Sequence, residues 1–303
     1  GAFIAGFSMC MLNTVVNPML NTLGGGGKRG NQLIQFGGSL NSISATIVPV
    51  FVGYLMGNVA TATINKANPA LFIAIGIFAL AFVVLFFMEI PEPAQEIEAK
   101  KKPGEKDPYS ALSFRHFILG AIAIFLYVGV EVGIPNFVNL FLSTPVNPTD
   151  SAAVPGLGYE AALAGSICGT YWFLMLIGRL VGGFLGGRFS SKAMLTFVSS
   201  LGLIFVLLAI CLPTSIKVDM PVFQSDISFG LAEVPIGIMF LILCGLCTSV
   251  MWGGIFNLAV EGLGKYTAMA SGIFMMLVCG GGILPLIQGG VADLFGYMAS
   301  YWV

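Results

Sequence analysis

Long apolar stretches alternate with short polar segments along the chain. Apolar windows of about 20 residues, the length needed to cross ~30 Å of hydrocarbon as a helix, recur throughout. They fall at 2–22, 32–57, 69–89, 117–142, 161–187, 193–213, 235–260 and 267–289, and another begins near Met298. The segments between them, such as "GNVATATINKANP" and "PTSIKVDMPVFQSD", are rich in Gly, Pro, Asn and Asp and are typical of loops. The pattern predicts an all-α integral membrane protein with eight full spans and the start of a ninth.

Composition favours a membrane protein and argues against several other classes. Of the 303 residues 57% are hydrophobic and 9% are charged, whereas a soluble domain carries about 25% charged residues. The net charge of -1 gives no support to a nucleic acid partner. A membrane enzyme would need clustered His, Asp, Glu or Cys near one membrane face, and a channel would more often show charged rings or a filter loop. We therefore expect no enzymatic activity, no catalytic or metal-binding residues and no organic cofactor.

The longest charged segment divides the spans into two groups. We assign 91–116 as a linker between a helical bundle at 1–90 and a second bundle at 117–303. Of the 13 basic residues, the loops on the linker's side hold Lys28, Arg29, Lys100, Lys101, Lys102, Lys106, Arg115, Arg188, Lys192 and Lys265, and the opposite loops hold Lys66 and Lys217. Because cytoplasmic loops are enriched in Lys and Arg, the linker is predicted to be cytoplasmic.

The two groups of spans show a weak internal repeat. Three spans precede the linker, whereas five and the start of a sixth follow it. Six spans separate the two similar segments, as a duplicated six-helix unit requires, and such repeats are typical of secondary transporters. If the halves match, three spans are missing in front of Gly1, and we expect the chain alone not to transport. With an offset of 240, the coincident residues are Met11, Asn17, Leu23 and Gly24, which fall on Met251, Asn257, Leu263 and Gly264.

Several motifs follow one another in an order that is similar to that of a known family. They are "NTVVNPMLNTLG" (13–24), "QFGGSLNSISATIVPV" (35–50), "LYVGVEVG" (126–133), "GRLVGGFLGGRFSSKAML" (178–195) and "GIFNLAVEGLGKYTAMASGIFMMLVCGGGILPLIQGGVAD" (254–293). On these residues the chain resembles the major facilitator superfamily and, within it, the fucose/galactose/glucose sugar-symporter branch. The motifs cover about half of the chain.

The resemblance implies a fold, a function and a location. The fold is the major facilitator fold of two pseudo-symmetric six-helix bundles, in which the present spans are the fourth to the eleventh with the start of the twelfth. The function is transport of a small neutral sugar, a hexose or deoxyhexose, by alternating access, as a symporter coupled to a proton or sodium ion. A transporter of another small polar solute and an uncoupled facilitator remain the alternatives. The implied location is the bacterial inner membrane, and we expect a monomer.

An amide-rich face suits the recognition of sugar hydroxyl groups. Asn13, Asn17 and Asn21 recur at four-residue spacing and share one helix face, and Pro18 removes a backbone donor among them. Polar groups that face lipid are costly, so this face is predicted to look inward. It either forms a hydrogen-bonded seam between helices or binds a neutral solute. The further candidates for substrate binding are Gln35, Asn41, Tyr127, Glu131, Asn139, Asn257 and, because an aromatic ring can stack on a sugar, Trp252.

Glu131 is a carboxylate within an apolar run and is therefore a candidate functional residue. It lies about 21 Å along its span from the linker side, with Tyr127 one turn before it. A structural ion pair with Arg179 is the alternative, but Arg179 is only about 12 Å deep, so the pair is not the first expectation. We predict that Asn17, Asn41, Glu131 and Asn257 point into one central cavity. Glu131 is also the candidate for ion coupling.

The resemblance leaves the coupling ion open. In family members that use protons, an acidic residue commonly lies in the fourth span, at the position of Asn13, and another lies in the first span. Asn13 cannot titrate. Coupling therefore depends on Glu131 and the first span, or uses an ion other than the proton, or is absent.

Glycine-rich segments predict close packing and gating. "CGGGILP" (279–285) combines Gly280, Gly281 and Gly282 with Pro285 inside a span, which favours a bend where the halves move. "GGFLGGRFSSK" (182–192), with Gly182, Gly183 and Arg188, is similar to the superfamily's cytoplasmic gating motif, although Gly187 replaces the expected aspartate. Ordinary packing of small residues in membrane helices is the alternative for both segments.

Overall fold

A computed structural model describes residues 2–25, 27–56, 64–88, 109–147, 154–224 and 228–303. These residues are mainly helical. The α-helices are α1 (Ala2–Leu23), α2 (Gly27–Met56), α3 (Ile64–Phe87), α4 (Arg115–Ser143), α5 (Ala161–Gly186), α6 (Ser191–Cys211), α7 (Ile236–Thr248), α8 (Met251–Val260), α9 (Thr267–Leu277) and α10 (Gly280–Phe295). Short 3-10 helices cover 111–113, 264–266 and 299–302.

Helices occur at all eight predicted spans. Among the described residues, six segments are long and apolar enough to cross a membrane: 68–87, 115–143, 161–186, 191–211, 236–260 and 264–295. The helices α1 and α2 lie at the first two predicted spans but are not among those six. The last two predicted spans are each divided into two helices, α7 with α8 and α9 with α10. The number of spans therefore stays a prediction, whereas the helical character of the chain is confirmed.

Glycines that follow α1 allow a tight turn into α2. Gly25 has φ of 71° and Gly27 has φ of 56°, a backbone region that glycine enters without steric cost. Gly24 leaves no room for a side chain, because a Cβ atom there would lie 2.6 Å from the Cα atom of Gly30. The glycines thus allow α1 and α2 to meet as neighbours.

A β-hairpin replaces the loop that the sequence predicted between the sixth and seventh spans. Strands β1 (Lys217–Phe223) and β2 (Phe229–Pro235) pair antiparallel, with Lys217 opposite Pro235 and Phe223 opposite Phe229. The sequence predicted a loop because Pro and Asp are typical of turns. The alternation of apolar and polar side chains in this segment, which is typical of a strand, was given less weight. The side chains that alternate inward are Met220, Val222, Ala232 and Val234, all of which are buried.

Two hydrophobic cores lie along α4. The hairpin-end core gathers residues 134–142 of α4 with the first half of α5, the β-hairpin and α7. The linker-end core gathers residues 117–128 of α4 with α8, α9 and Ile34 of α2. Residues 129–133 of α4, which include Glu131, lie between the fully buried residues of the two cores along the helix, and Val132 among them packs against the linker-end core. The candidate site lies in this interval.

The contacts divide the chain into two compact units. One comprises Gly1–Ser42 with Lys106–Val303, and the other comprises Ile43–Glu105. In the second unit, α3 exposes large apolar side chains along its length, among them Phe72, Phe78 and Phe87. Of the predicted linker, 91–116, residues 91–108 lie outside the described residues.

Candidate functional site

The seventh predicted span is broken at the centre of the site. Helix α7 ends at Thr248 and α8 begins at Met251, so the regular helical hydrogen bonding is interrupted between them. Backbone carbonyls at such a break can accept hydrogen bonds from other helices. Three of them do so: the Tyr127 hydroxyl donates to Thr248 at 3.0 Å, Arg179 Nε donates to Ser249 at 3.4 Å, and Gln35 Nε2 donates to Val250 at 2.9 Å.

Glu131 and Arg179 form an ion pair beside this break. The Arg179 Nη2 atom lies 3.4 Å from Glu131 Oε1, and the two side chains are 12% and 14% exposed. The sequence made this pair the alternative to a functional role for Glu131, and the structure contains the pair. The estimate of their depths in the membrane assumed straight, parallel helices and gave little weight to the length of the arginine side chain. The pair is largely shielded from solvent, so each charge depends on the other for compensation.

The Arg179 guanidinium also binds α2. Its Nη1 atom donates to the carbonyl of Gly38 at 3.1 Å and to the hydroxyl of Ser42 at 2.8 Å. One side chain of α5 therefore connects α2, α4 and the α7–α8 break. The planar guanidinium has five N–H donors in a fixed fork, so it can hold several acceptors at once.

Tyr171 and Thr248 complete the site, which we call the polar cluster: Tyr127, Glu131, Tyr171, Arg179, Thr248 and Ser249. The Tyr171 hydroxyl lies 3.0 Å from Thr248 Oγ1 and donates to the Glu131 carbonyl at 3.3 Å. Tyr171 of the cluster belongs to the hairpin-end core, and Tyr127 belongs to the linker-end core. It combines an ion pair with hydroxyl groups, which suits binding of a small polar solute or an ion.

The amide residues of α1 are directed partly into their own helix. Asn17 Nδ2 donates to the carbonyl of Asn13 at 2.8 Å, and both residues are half-buried. Asn21 is buried, and its Oδ1 atom occupies the space beside Gly30. Helix α1 also contacts α9, where Ser271 Oγ donates to the Thr14 carbonyl at 3.0 Å. The amides of α1 are thus near helix contacts, and a substrate role for them stays a prediction.

The remaining predicted ligands are in different surroundings. Gln35 is buried and binds the α7–α8 break, whereas Asn41 and Asn139 are exposed. Asn257 is buried, and its amide donates to Ser191 Oγ on α6 at 2.9 Å, so the amide nitrogen is engaged within the fold. Trp252 stacks on Phe256 at 5.5 Å and is half-buried. The structure brings Gln35, Tyr127 and Glu131 to the break.

The predicted gating glycines are mostly packing positions. Gly182 faces Val250, Gly183 faces Phe36, and Gly280 lies against the backbone of Phe125. Gly281 faces Val128, whereas a Cβ atom at Gly282 would meet nothing within 4 Å. The helix is interrupted between Leu277 and Gly280, and Pro285 lies inside α10. Arg188 is exposed, and its carbonyl accepts a hydrogen bond from Lys28.

Four residues of the polar cluster were not among the predicted ligands: Tyr171, Arg179, Thr248 and Ser249, and Ser42, which binds Arg179, was not among them either. Arg179 is a charged residue within an apolar span, which is a signal in itself. Tyr171 follows Thr170, Thr248 precedes Ser249, both pairs lie in apolar runs, and Ser42 lies next to the predicted Asn41. These side chains meet because the helix is broken at 249–250, and the hydrophobic pattern of the sequence does not indicate that break.

The part of the chain that the structure describes contains no candidate metal site. No three His, Cys, Asp or Glu side chains come together among these residues. Cys244 and Cys247 of α7 are buried free thiols.

Comparison with known proteins gives consistent matches over nearly the whole chain. The chain is 31% identical over 301 residues to a glucose/galactose transporter of Brucella abortus, covering 99% of this chain and 66% of that protein. It is 28% identical to a putative glucose/galactose transporter of Helicobacter pylori, covering 96% and 65%. It is 23% identical to the L-fucose-proton symporter of Escherichia coli K12, covering 98% and 66%. The chain thus spans about two thirds of the length of these curated relatives, whose names describe transporters and not enzymes.

A solved structure shows the same fold. The transporter FucP, crystallised in the outward conformation, matches with a TM-score of 0.71 at 20% identity, over 96% of this chain and 68% of that one. The family model described as Major Facilitator Superfamily matches residues 1–303. The chain is therefore an integral membrane protein that belongs to the Major Facilitator Superfamily.

Proposed function

We propose that the protein is a secondary active transporter that moves a small neutral sugar across the membrane by alternating access, as a symporter coupled to a proton or sodium ion. The substrate class is a hexose or deoxyhexose such as glucose, galactose or fucose. Three relatives that match this chain over at least 96% of its length are named as glucose/galactose or L-fucose transporters, which supports this class. No enzymatic step is part of the proposal.

The observation that carries the proposal is the buried ion pair of Glu131 and Arg179 at a broken span. Charged residues inside a membrane are costly, and they are typical of substrate and ion pathways. Discontinuous helices near the middle of the membrane form the binding sites of many secondary transporters. The hydroxyl groups of Tyr127 and Tyr171 are polar groups of the kind that can exchange hydrogen bonds with sugar hydroxyls.

The proposed arrangement has two bundles of helices, 1–90 and 117–303, joined by a cytoplasmic linker at 91–116. The relatives named above are bacterial proteins, which supports the bacterial plasma membrane as the location. The two bundles of one chain would together form the transport path, so the proposed transporter is a monomer. Asn13, Asn17, Gln35, Asn41, Asn139, Trp252 and Asn257 are the proposed further contacts of the path.

Transport of labelled sugars by the complete gene product tests the function. The protein is reconstituted into liposomes, and uptake of glucose, galactose and L-fucose is measured with an imposed proton gradient, with a sodium gradient and with neither. Accumulation above equilibrium in one gradient is expected, and protein-free liposomes are the control. Uptake that only equilibrates would favour an uncoupled facilitator. Uptake of none of the three sugars, with uptake of another polar solute, would replace the proposed substrate class.

A further inference from the structure

A row of contacts joins residues 28–42 of α2 to α5 and to the turn that follows α5. Lys28 Nζ donates to the carbonyl of Arg188 at 2.9 Å, at one end of this row. Phe36 meets Phe184 edge to face, with ring centroids 5.5 Å apart. Arg179 makes the contacts with Gly38 and Ser42. Because α2 precedes the predicted linker and α5 follows it, this row joins the two parts of the chain that alternating access would separate.

Arg179 differs from the other contacts of the row because it is shared. Its Nη1 atom binds α2, while its Nη2 atom binds the carboxylate of Glu131 on α4. The guanidinium is planar and rigid, so fixing Nη2 on Glu131 also fixes the direction in which Nη1 points. The carboxylate therefore orients the donor that holds α2.

The other hydrogen-bond partners of the guanidinium, on Gly38, Ser42 and Ser249, are neutral. The side-chain carbons of Arg179 cross Gly38, where a Cβ atom would lie 3.6 Å from Arg179 Cδ, so α2 offers its backbone directly. The bond from Nε to the Ser249 carbonyl and the contact of Nη2 with Glu131 are both 3.4 Å long, so the charge of the carboxylate distinguishes the two. Ser42 and Gly38 are neutral acceptors, whereas Glu131 is the charged one, and charge-assisted hydrogen bonds are the stronger kind.

We propose that Arg179 is a positioning residue that transmits the state of Glu131 to the contact between α2 and α5. While the carboxylate is charged and unoccupied, Arg179 is held towards α2 and the contact stays closed. When a proton, a cation or a sugar hydroxyl engages Glu131, the guanidinium loses its orienting partner and α2 is released. This inference rests on the proposed function, and it names the residue that links binding to movement.

The groups that face Glu131 are consistent with this role. Arg179 and Tyr171 face it from α5, and Tyr127 faces it from α4 itself. Of these, Arg179 is the one that carries a positive charge and also contacts α2. A change at Glu131 is thus passed to α2 through a single side chain.

A cross-link between α2 and α5 can report the contact directly. A Cβ atom at Gly186 would lie 3.5 Å from the Cα atom of Gln32, which suits a disulfide between cysteines at these positions. The pair Gln32→Cys and Gly186→Cys is introduced into the complete protein with its native cysteines replaced. The rate of disulfide formation with copper phenanthroline is measured in membranes without sugar. This readout does not require transport, so it separates a failure of the inference from a failure of the proposed function.

The variants Arg179→Gln and Glu131→Gln are compared in this background. Each is expected to slow cross-linking about tenfold, since a hydrogen bond to a charged group contributes roughly that factor. The double variant is expected to be no slower than Arg179→Gln, because both substitutions act on one link. Arg179→Lys should recover only part of the rate, because an ammonium lacks the planar fork. Lys192→Gln, which removes an exposed charge of α6, is the control and should cross-link like the parent.

Two results would overturn the inference. One is a parental rate in Arg179→Gln. The other is a parental rate of disulfide formation in Glu131→Gln while Arg179→Gln is slow. Arg179 would then hold α2 independently of Glu131. If Arg179→Gln does not fold, Ser42→Ala and Glu131→Gln decide. Ser42→Ala removes one acceptor on α2 and should slow the rate about threefold, and parental rates in both variants would refute the link.

Discussion

Gly280 of α10 lies directly against the backbone carbonyl of Phe125 on α4, with no space for a methyl group between them. We expect Gly280→Ala to destabilise the protein by about 1–3 kcal/mol, because the methyl group would force the two helices apart. A lower thermal midpoint of the purified protein in detergent would show this loss.

Gly282, two residues further along α10, is the matched control. A Cβ atom there would meet nothing within 4 Å. Gly282→Ala should leave the midpoint unchanged or raise it, since alanine favours a helix over glycine by roughly 0.5–1 kcal/mol. Equal losses in the two variants would contradict the close approach at Gly280.

Glu131→Gln is expected to abolish gradient-driven accumulation of sugar while binding and counterflow exchange remain. The substitution keeps the shape and an acceptor oxygen for Arg179 but removes the exchangeable charge. Uptake and counterflow in liposomes that contain the complete protein measure the two activities. Asn136→Asp, at an exposed position of α4 outside the proposed path, is a control for a changed charge on the same helix.

Two outcomes for Glu131→Gln would count against a coupling role. Accumulation equal to that of the parent would exclude it. Loss of folding would instead favour a structural ion pair, since removal of one partner of a buried pair can cost roughly 3–5 kcal/mol.

Asn257 is expected to stabilise the contact between α6 and α8. Its amide donates to Ser191 Oγ, and both residues are buried. Asn257→Ala and Ser191→Ala should each lower the free energy of unfolding by about 1–3 kcal/mol. The double variant should lose less than the sum of the two, because they share one hydrogen bond. An unchanged stability with a raised KM for sugar would instead identify Asn257 as a ligand.

Thr170 is expected to fix the β-hairpin on α5. Its hydroxyl accepts a hydrogen bond from the Phe223 amide at 2.8 Å. Thr170→Val keeps the shape and leaves that amide without this acceptor, so amide hydrogen exchange at Phe223 should become at least several-fold faster. Thr196→Val, which removes an exposed hydroxyl on α6, should leave the exchange unchanged. No difference between the two variants would show that Thr170 does not fix the hairpin, and would leave the Phe173–Phe223 stacking and the buried side chains to hold it.

Much of the fold could be predicted from hydrophobic windows, because each membrane helix must satisfy its backbone internally and cover itself with apolar side chains. The motif segments likewise led to the superfamily that the comparisons confirmed. The hairpin was missed because Pro221 and Asp219 suggested a loop, although Val218, Met220 and Val222 alternate with them. A short amphipathic hairpin gives a weak signal beside spans of more than 20 residues.

The candidate site was predicted only in part. Glu131 was conspicuous because a carboxylate is rare in an apolar run. Its pairing with Arg179 depends on where α4 and α5 cross and on the break after Thr248, and both are tertiary features. Asn257 looked equivalent to the other amides in the sequence, but packing turned it towards Ser191.

The break between α7 and α8 also places a helix end beside a buried cation. The last carbonyls of a helix carry the negative end of its dipole, equivalent to roughly half an elementary charge. Helix α7 ends at Thr248, and the following carbonyl of Ser249 accepts from Arg179. The arginine therefore keeps a partial counter-charge from the backbone when the carboxylate is neutral. A positive side chain can in this way remain inside the bilayer while its acidic partner changes state, and backbone dipoles, which no substitution removes, provide that constancy.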